Sequence, residues 1–198
     1  MRREVEQSLS ALGIDHIDLY QIHWPDPRTP LADTAAALGD MIREGLIRHA
    51  GVSNFDVEEM REFGETLPVE TLQPPYHLFE RDIETDVLPY CAERGIGVLA
   101  YGPLAHGLLG GAFDEYTTFP ADDWRSAGPD FTGETFRRNL AVVGPLREFA
   151  RRKGATVGSS PWRGCSPRRR WTRRWTRRSS ARAGTPTSRR APARWTWS

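Results

Sequence analysis

Cysteine is nearly absent, with only Cys91 and Cys165 in 198 residues. Two thiols do not make the disulfide framework of a small secreted scaffold, so a reducing cytoplasm is the expected compartment. No run approaches the ~20 consecutive apolar residues that a membrane helix needs. The opening MRREVEQSLS lacks the apolar stretch of a signal peptide. His16, His49, His77 and His106 show no metal-ligand spacing, so no metal is expected, and they read as surface or loop residues. No glycine-rich phosphate loop of the Walker or Rossmann type occurs. Lysine occurs once, as Lys153. These absences set aside membrane, secreted-scaffold and collagen-like classes. What is present, 38% hydrophobic residues in 22.4 kDa, suffices for one domain with a core.

The net charge of +1 averages two unlike compositions. Residues 1–158 hold all 26 acidic residues and 15 of the 27 basic ones, a net of −11. Residues 159–198 hold 12 Arg and five of the seven Trp, with no acid and no Leu, Ile, Val, Met or Phe. A segment without aliphatic side chains has nothing to pack, so a disordered basic tail is expected there.

The first part alternates two periodicities. RREVEQSLSAL places Val5, Leu9 and Leu12 on one helical face before Gly13. Ile17–Trp24 reads as a strand, Leu31–Ile47 as a helix, and His49–Phe55 as a second strand. Asp56 is an N-cap for the next helix. Thr71–Tyr76 is a third strand, Asp86–Arg94 a helix stopped by Gly95, and Gly95–Leu104 a fourth strand. Residues 105–136 form a long loop of the lid or binding type. A last helix, about Phe136 to Lys153, carries Leu140, Val143, Leu146 and Phe149. Apolar strands joined by helices predict an α/β fold with roughly four parallel strands covered by helices. Cys91, mid-helix, reads as an inert core residue.

In such folds, chemistry collects at the carboxyl ends of strands. The residues there are His23, then Ser53 and Asn54, then Gln73, then Tyr101. Polar groups in that position either satisfy loop backbone or serve a ligand, and spacing alone leaves both open.

DLYQIHWPD (Asp18–Asp26), IRHAGVSNF (Ile47–Phe55), LQPPYHLFER (Leu72–Arg81) and GVLAYGPLAHGLL (Gly97–Leu109) together resemble the aldo-keto reductase family, over about Arg2 to Gly158. The resemblance implies a partial (β/α)8 TIM barrel and NADP(H)-dependent reduction of an aldehyde or ketone to an alcohol. It assigns His23 as the catalytic histidine orienting the carbonyl, with Trp24 beside it as a substrate contact. Ser53, Asn54 and Gln73 match the residues that hold the nicotinamide carboxamide. Tyr101 matches the aromatic that stacks on the nicotinamide ring. Gly102, Pro103 and Leu104 match the loop that passes the diphosphate, with Gly102 where the family usually has Ser.

The family's first three strands, with its Asp, its Tyr general acid and its Lys, have no counterpart here, so this polypeptide alone is expected to have little or no reductase activity. The tail departs as well. The family continues with a helix like QLALAWLL, a final strand and phosphate-binding arginines. With one choice of GC-rich codons, a one-base frame shift turns Ser160–Cys165 into LALAWL. The same shift turns Trp171–Thr185 into VDAAVDAAIVGARRN. The expectation is that 159–198 is out of frame. The alternative reading is a non-catalytic module: a regulatory barrel, or a scaffold whose Arg/Trp tail binds nucleic acid or anionic surfaces. No motif for a specific nucleic acid is present, no membrane partner is expected, and the oligomeric state is not legible.

Overall fold

The computed structural model describes residues 1–159; the tail expected at 159–198 lies outside the described residues except for Ser159. Four helices and four strands alternate before a fifth helix: α1 Arg2–Leu12, β1 Ile17–Ile22, α2 Leu31–Arg43, β2 Ile47–Ser53, α3 Val57–Thr66, β3 Thr71–Gln73, α4 Val87–Arg94, β4 Gly97–Val98 and α5 Gly133–Arg152. The strands lie in the order β1-β2-β3-β4, all parallel. Parallel strands in sequential order, each followed by a helix, are the repeating unit of a (β/α)8 barrel, and this is part of one.

Local chemistry fixes the ends of these elements. Gly13 closes α1 in the left-handed region (φ 65), its N–H reaching Ser10 O while Ile14 N–H reaches Leu9 O. Asp56 accepts from Glu59 N–H and the Glu59 carboxylate accepts from Asp56 N–H, both at 2.8 Å, a reciprocal cap that starts α3. Strand alternation then sorts the side chains. Tyr20, Ile22, Ala50, Val52, Leu72 and Val98 pack with Val5, Leu38, Met41, Met60, Phe63 and Cys91 in the core between sheet and helices. The other face carries Gln21, Gly51 and Thr71. A β-carbon at Gly51 would run into Thr71 Oγ1 and come within 3.1 Å of Gln21 Cγ, so the sheet takes no side chain there.

Several boundaries differ from those the sequence predicts. The helix expected over Leu31–Ile47 stops at Arg43. Gly45 turns the chain at φ 79, and Leu46 N–H closes back on Met41 O. Ile47 thereby opens β2 two residues early, and Asn54 (φ 61) ends it at Ser53. The strand expected over Gly95–Leu104 contracts to Gly97–Val98, and that over Thr71–Tyr76 to Thr71–Gln73. Pro74 and Pro75 have no N–H to offer. Beyond Gln73 the pairing survives through carbonyls and one bridge: Tyr101 N–H donates to Pro74 O at 2.9 Å and Tyr76 N–H to Tyr101 O at 3.2 Å. α5 begins at Gly133, three residues early, and presents Phe136, Val143 and Ala150 inward. Phe149, expected on that face, is 48% exposed.

The loop expected at 105–136 is not open chain. Short 3-10 turns at Ala105–Gly110, Trp124–Ser126 and Pro129–Phe131 fold it onto α5. Ala105, Leu108, Leu109, Phe131, Phe136, Val143, Ala150 and Val157 make a second core there. Phe113, Phe119 and Phe131 meet edge-on at 5.3–6.4 Å. Arg125 lies over Phe119 at 4.6 Å, pairs with Asp123 and donates to His106 O at 3.2 Å.

Candidate active site

Register brings the candidate residues to one end of the sheet. Ile22 pairs with Val52 and Ser53 with Gln73, so His23, Ser53 and Gln73 fall in one row at the carboxyl ends of β1, β2 and β3. Tyr101 follows β4 on the same side, bridged to Pro75.

Asn54 binds this row together. Its Nδ2 donates to His23 O at 2.8 Å and to Ser53 Oγ at 3.1 Å. Its Oδ1 accepts from the Tyr101 hydroxyl at 2.8 Å. Its backbone N–H reaches Gln73 O at 3.3 Å. Ser53 Oγ donates to the same Gln73 oxygen at 2.6 Å. A carbonyl oxygen can only accept, so the partners fix the amide's orientation and the hydroxyl's proton. The backbone at Asn54 is left-handed, a region that asparagine enters more readily than most side chains.

This network spends the N–H and O–H donors of Ser53 and Asn54. Each keeps lone pairs. The Gln73 side-chain amide makes no hydrogen bond with the described residues, so it holds the unspent N–H donors of the three. The His23 ring is exposed, likewise without a hydrogen bond among the described residues, and is tilted against Trp24 at 6.2 Å. A flat amide offering both an N–H and a carbonyl finds acceptors at Ser53 and Asn54 and a donor at Gln73. The donor set therefore fits a carboxamide.

A cavity of about 410 Å³ opens beside the row. Trp24, Asn54, Tyr101 and Gly102 line it, with apolar walls from Phe55, Ile83 and Val87. His23, Ser53 and Gln73 lie in the row without lining it, and Pro103 and Leu104 stand outside its lining. Two groups that the sequence reading set aside also face this cavity, His77 with Glu80, and His106. His77 is not a surface residue: it is 8% exposed. Its Nδ1 accepts from Phe79 N–H at 3.3 Å, which leaves the ring proton on Nε2, 3.2 Å from Glu80 Oε2. Burial pushes the imidazole below its ordinary range, with Glu80 pulling the other way. Burial and the charge of Glu80 raise the Tyr101 phenol. The signal that could have found His77 was its position four residues past Gln73, at the same strand end. His106 also lines a second cavity of about 520 Å³ with Trp124, whose ring it meets edge-on at 4.9 Å.

Cys91 is buried and its thiol is pushed up to about 11 by desolvation, which removes it as a nucleophile. Among the described residues no cluster of three His, Cys, Asp or Glu could hold a metal ion, and no helix is long and apolar enough to cross a membrane.

Three comparisons bear on this site. The family model described as aldo/keto reductase family matches residues 1–159. Aldo-keto reductase YhdN of Bacillus subtilis (strain 168) is 46% identical over 155 residues, 78% of this chain and 47% of that protein. The NADH-specific methylglyoxal reductase of Escherichia coli (strain K12) is 41% identical over 114 residues, 56% of this chain and 35% of that one. Among solved structures, the glycerol dehydrogenase AKR11B4 of Gluconobacter oxydans superposes with a TM-score of 0.79 at 46% identity, covering 82% of this chain and 50% of that one. An aldo/keto reductase of Klebsiella pneumoniae, solved with NADP and acetate, gives 0.60 at 32% identity, covering 79% and 47%. The chain spans about half the length of the curated relatives that match most of it.

Proposed function

The chain belongs to the aldo/keto reductase family, and from that premise we propose that its strand-end row is part of a site for NADP(H)-dependent reduction of a small aldehyde or ketone to an alcohol. The observation that carries this reading is the bonded row itself. Ser53, Asn54 and Gln73 present two sets of lone pairs and one free amide in line, next to the Tyr101 ring. Gln73 would donate to the carboxamide oxygen, while Ser53 and Asn54 accept from its NH2. Tyr101 would cover one face of the nicotinamide ring. Gly102, Pro103 and Leu104 would pass the diphosphate, and Trp24 would contact the substrate. The nicotinamide, when bound, supplies a hydride to the carbonyl carbon. The exposed His23 ring N–H would donate to the carbonyl oxygen, orienting it and stabilising the charge it gains.

That oxygen also needs a proton. The only lysine in the sequence, Lys153, caps the far end of α5, and the Tyr101 hydroxyl is committed to Asn54. A positioned general acid contributes about 10²–10⁴ in rate. We therefore expect this polypeptide alone to bind the cofactor with little or no turnover. NADPH is preferred over NADH by the family resemblance. The relative from Klebsiella pneumoniae solved with NADP supports this preference, while the relative named for NADH use makes it the point to test. The cytoplasm, with its reducing chemistry, is the proposed compartment, and 159–198 is proposed as out-of-frame sequence.

The test is a fluorescence titration of the full chain with NADPH and with NADH, alongside Tyr101→Ala. Ring stacking of this kind is about 1–3 kcal/mol, so the variant should bind NADPH about fivefold to 150-fold more weakly. Equal binding by both proteins overturns the assignment. Oxidation of NADPH with an added aldehyde overturns the expected inactivity. Codons at 160–185 that cannot yield LALAWL in another frame overturn the out-of-frame reading.

A further inference from the structure

The side chains that meet at Asn54 do more than line a pocket. One amide joins the end of β1 through His23 O, the end of β2 through Ser53 Oγ, and the segment after β4 through the Tyr101 hydroxyl, while its own N–H reaches β3 at Gln73 O. All four strands of the described sheet are tied at one residue. That residue sits at φ 61, a backbone conformation that strains most side chains and that this set of bonds holds in place. Tyr101 has no such anchor elsewhere. Its segment is held to the β3 side by backbone bonds alone: Leu99 N–H to Leu72 O, Tyr101 N–H to Pro74 O and Tyr76 N–H to Tyr101 O. Without the bond to Asn54, the tilt of the ring is set by packing in a half-buried position alone.

We propose that Asn54 is a positioning residue: it clamps the Tyr101 ring through the phenol and aims it at the nicotinamide face, in addition to offering a lone pair to the carboxamide. The inference rests on the cofactor reading above and deepens it. Asn54 then acts on cofactor binding chiefly through Tyr101, and its two N–H groups, spent on His23 O and Ser53 Oγ, give the cofactor nothing. The phenol contributes separately from the ring, since Tyr101→Phe keeps the stacking surface and loses the clamp. Glycine is the informative replacement at 54, because it accepts the left-handed backbone and removes only the amide.

Two measurements test the clamp. The first needs no cofactor. In full-length protein labelled at the tyrosine ζ carbon, the Tyr101 signal is assigned by its loss in Tyr101→Phe and followed against pH. Removing an acceptor from a donating phenol destabilises the neutral form. Asn54→Gly should therefore shift the Tyr101 titration to lower pH, and Asn54→Asp, which keeps an acceptor and adds negative charge, should shift it to higher pH. An unchanged titration in Asn54→Gly overturns the clamp. The second is a thermodynamic cycle on NADPH affinity. Tyr101→Phe should weaken binding about fivefold, the size of one ordinary hydrogen bond, Asn54→Gly, which also removes an acceptor for the carboxamide, by that much or more, and the double variant should be no weaker than Asn54→Gly. Penalties that multiply in the double variant overturn the proposal. If wild-type chain binds no NADPH, the cofactor reading fails, and the phenol titration still decides the clamp.

Discussion

The sheet core and the loop core hold their side chains by different means. Between sheet and helices the filling is mostly aliphatic and follows the periodicity of the elements: Val5, Leu38, Met41, Val52 and Leu72 all come from regular positions. Over 105–157 aliphatic side chains such as Leu108, Leu109 and Val143 are joined by a cluster of phenylalanines, and the backbone before α5 runs in short turns. Phe113, Phe131 and Phe136 each meet Phe119 edge-on, and a guanidinium is laid across the Phe113 and Phe119 rings. The strand-end site lies where the two regions meet, since His106 and Gly102 belong to the loop side and Asn54 to the sheet side. The first region fixes where the functional groups stand and supplies the apolar wall of Phe55, Ile83 and Val87, and the second adds His106.

Deleting one large ring from each core separates the two. Phe63 is fully buried in the sheet core. Phe63→Ala should cost about 3–5 kcal/mol, lowering the urea midpoint of the whole domain. Phe131→Ala should concentrate its loss locally: amide exchange over 105–132 accelerates while β1, β2 and β3 stay protected. Equal loss of protection in both regions would mean that they are one cooperative unit.

A smaller effect falls on the polar side of the loop core. Arg125→Lys keeps the charge but not the flat fork that spans Asp123, His106 O and the Phe119 ring. It should cost about 1–2 kcal/mol, with faster exchange at Leu109 N–H, which bonds Leu104 O beside the Ala105–Gly107 turn. In the sheet region, Asp56→Ala removes the cap of α3 and should cost about 1 kcal/mol in thermal or urea melts. The smallest expected effect is a pH dependence. Burial holds the His77 imidazole below its ordinary range, so the unfolded chain binds that proton first. Stability from this group is full above the ordinary imidazole range and is lost as pH falls through it. Glu80 opposes the effect and keeps it small. His77→Gln should flatten the decline in the melting temperature between about pH 7 and 5, and a decline as steep as in wild type would show that other groups cause it.

The regular half of the molecule was legible because periodicity and caps act locally. Val5 and Leu9 with Gly13, Asp56 before α3, and Gly95 after α4 all stand where their residue types require. Strand lengths were less legible, because Pro74 and Pro75 cut the ladder through lost donors on a neighbouring strand, which a reading of each strand by itself misses. The loop core was legible only along α5, where Leu140, Val143 and Leu146 follow the helical period. Phe113, Phe119 and Phe131 follow no helical or strand period, and their meeting depends on long-range closure. For the site, the sequence pointed to His23, Ser53, Asn54, Gln73 and Tyr101. Their order along the chain carries no hint that the Asn54 amide is used up internally, or that His77 is folded inward against Glu80.

The most direct test of the account is to titrate NADP⁺ into isotope-labelled full-length chain and follow both backbone amides and the side-chain amides of Asn54 and Gln73 by NMR. The account predicts that the Gln73 side-chain amide moves most, with Ser53, Tyr101 and Gly102 moving alongside it and the His16 and Arg61 surfaces still. Saturable binding that leaves the Gln73 and Tyr101 signals in place, or shifts confined to another face of the sheet, contradicts it.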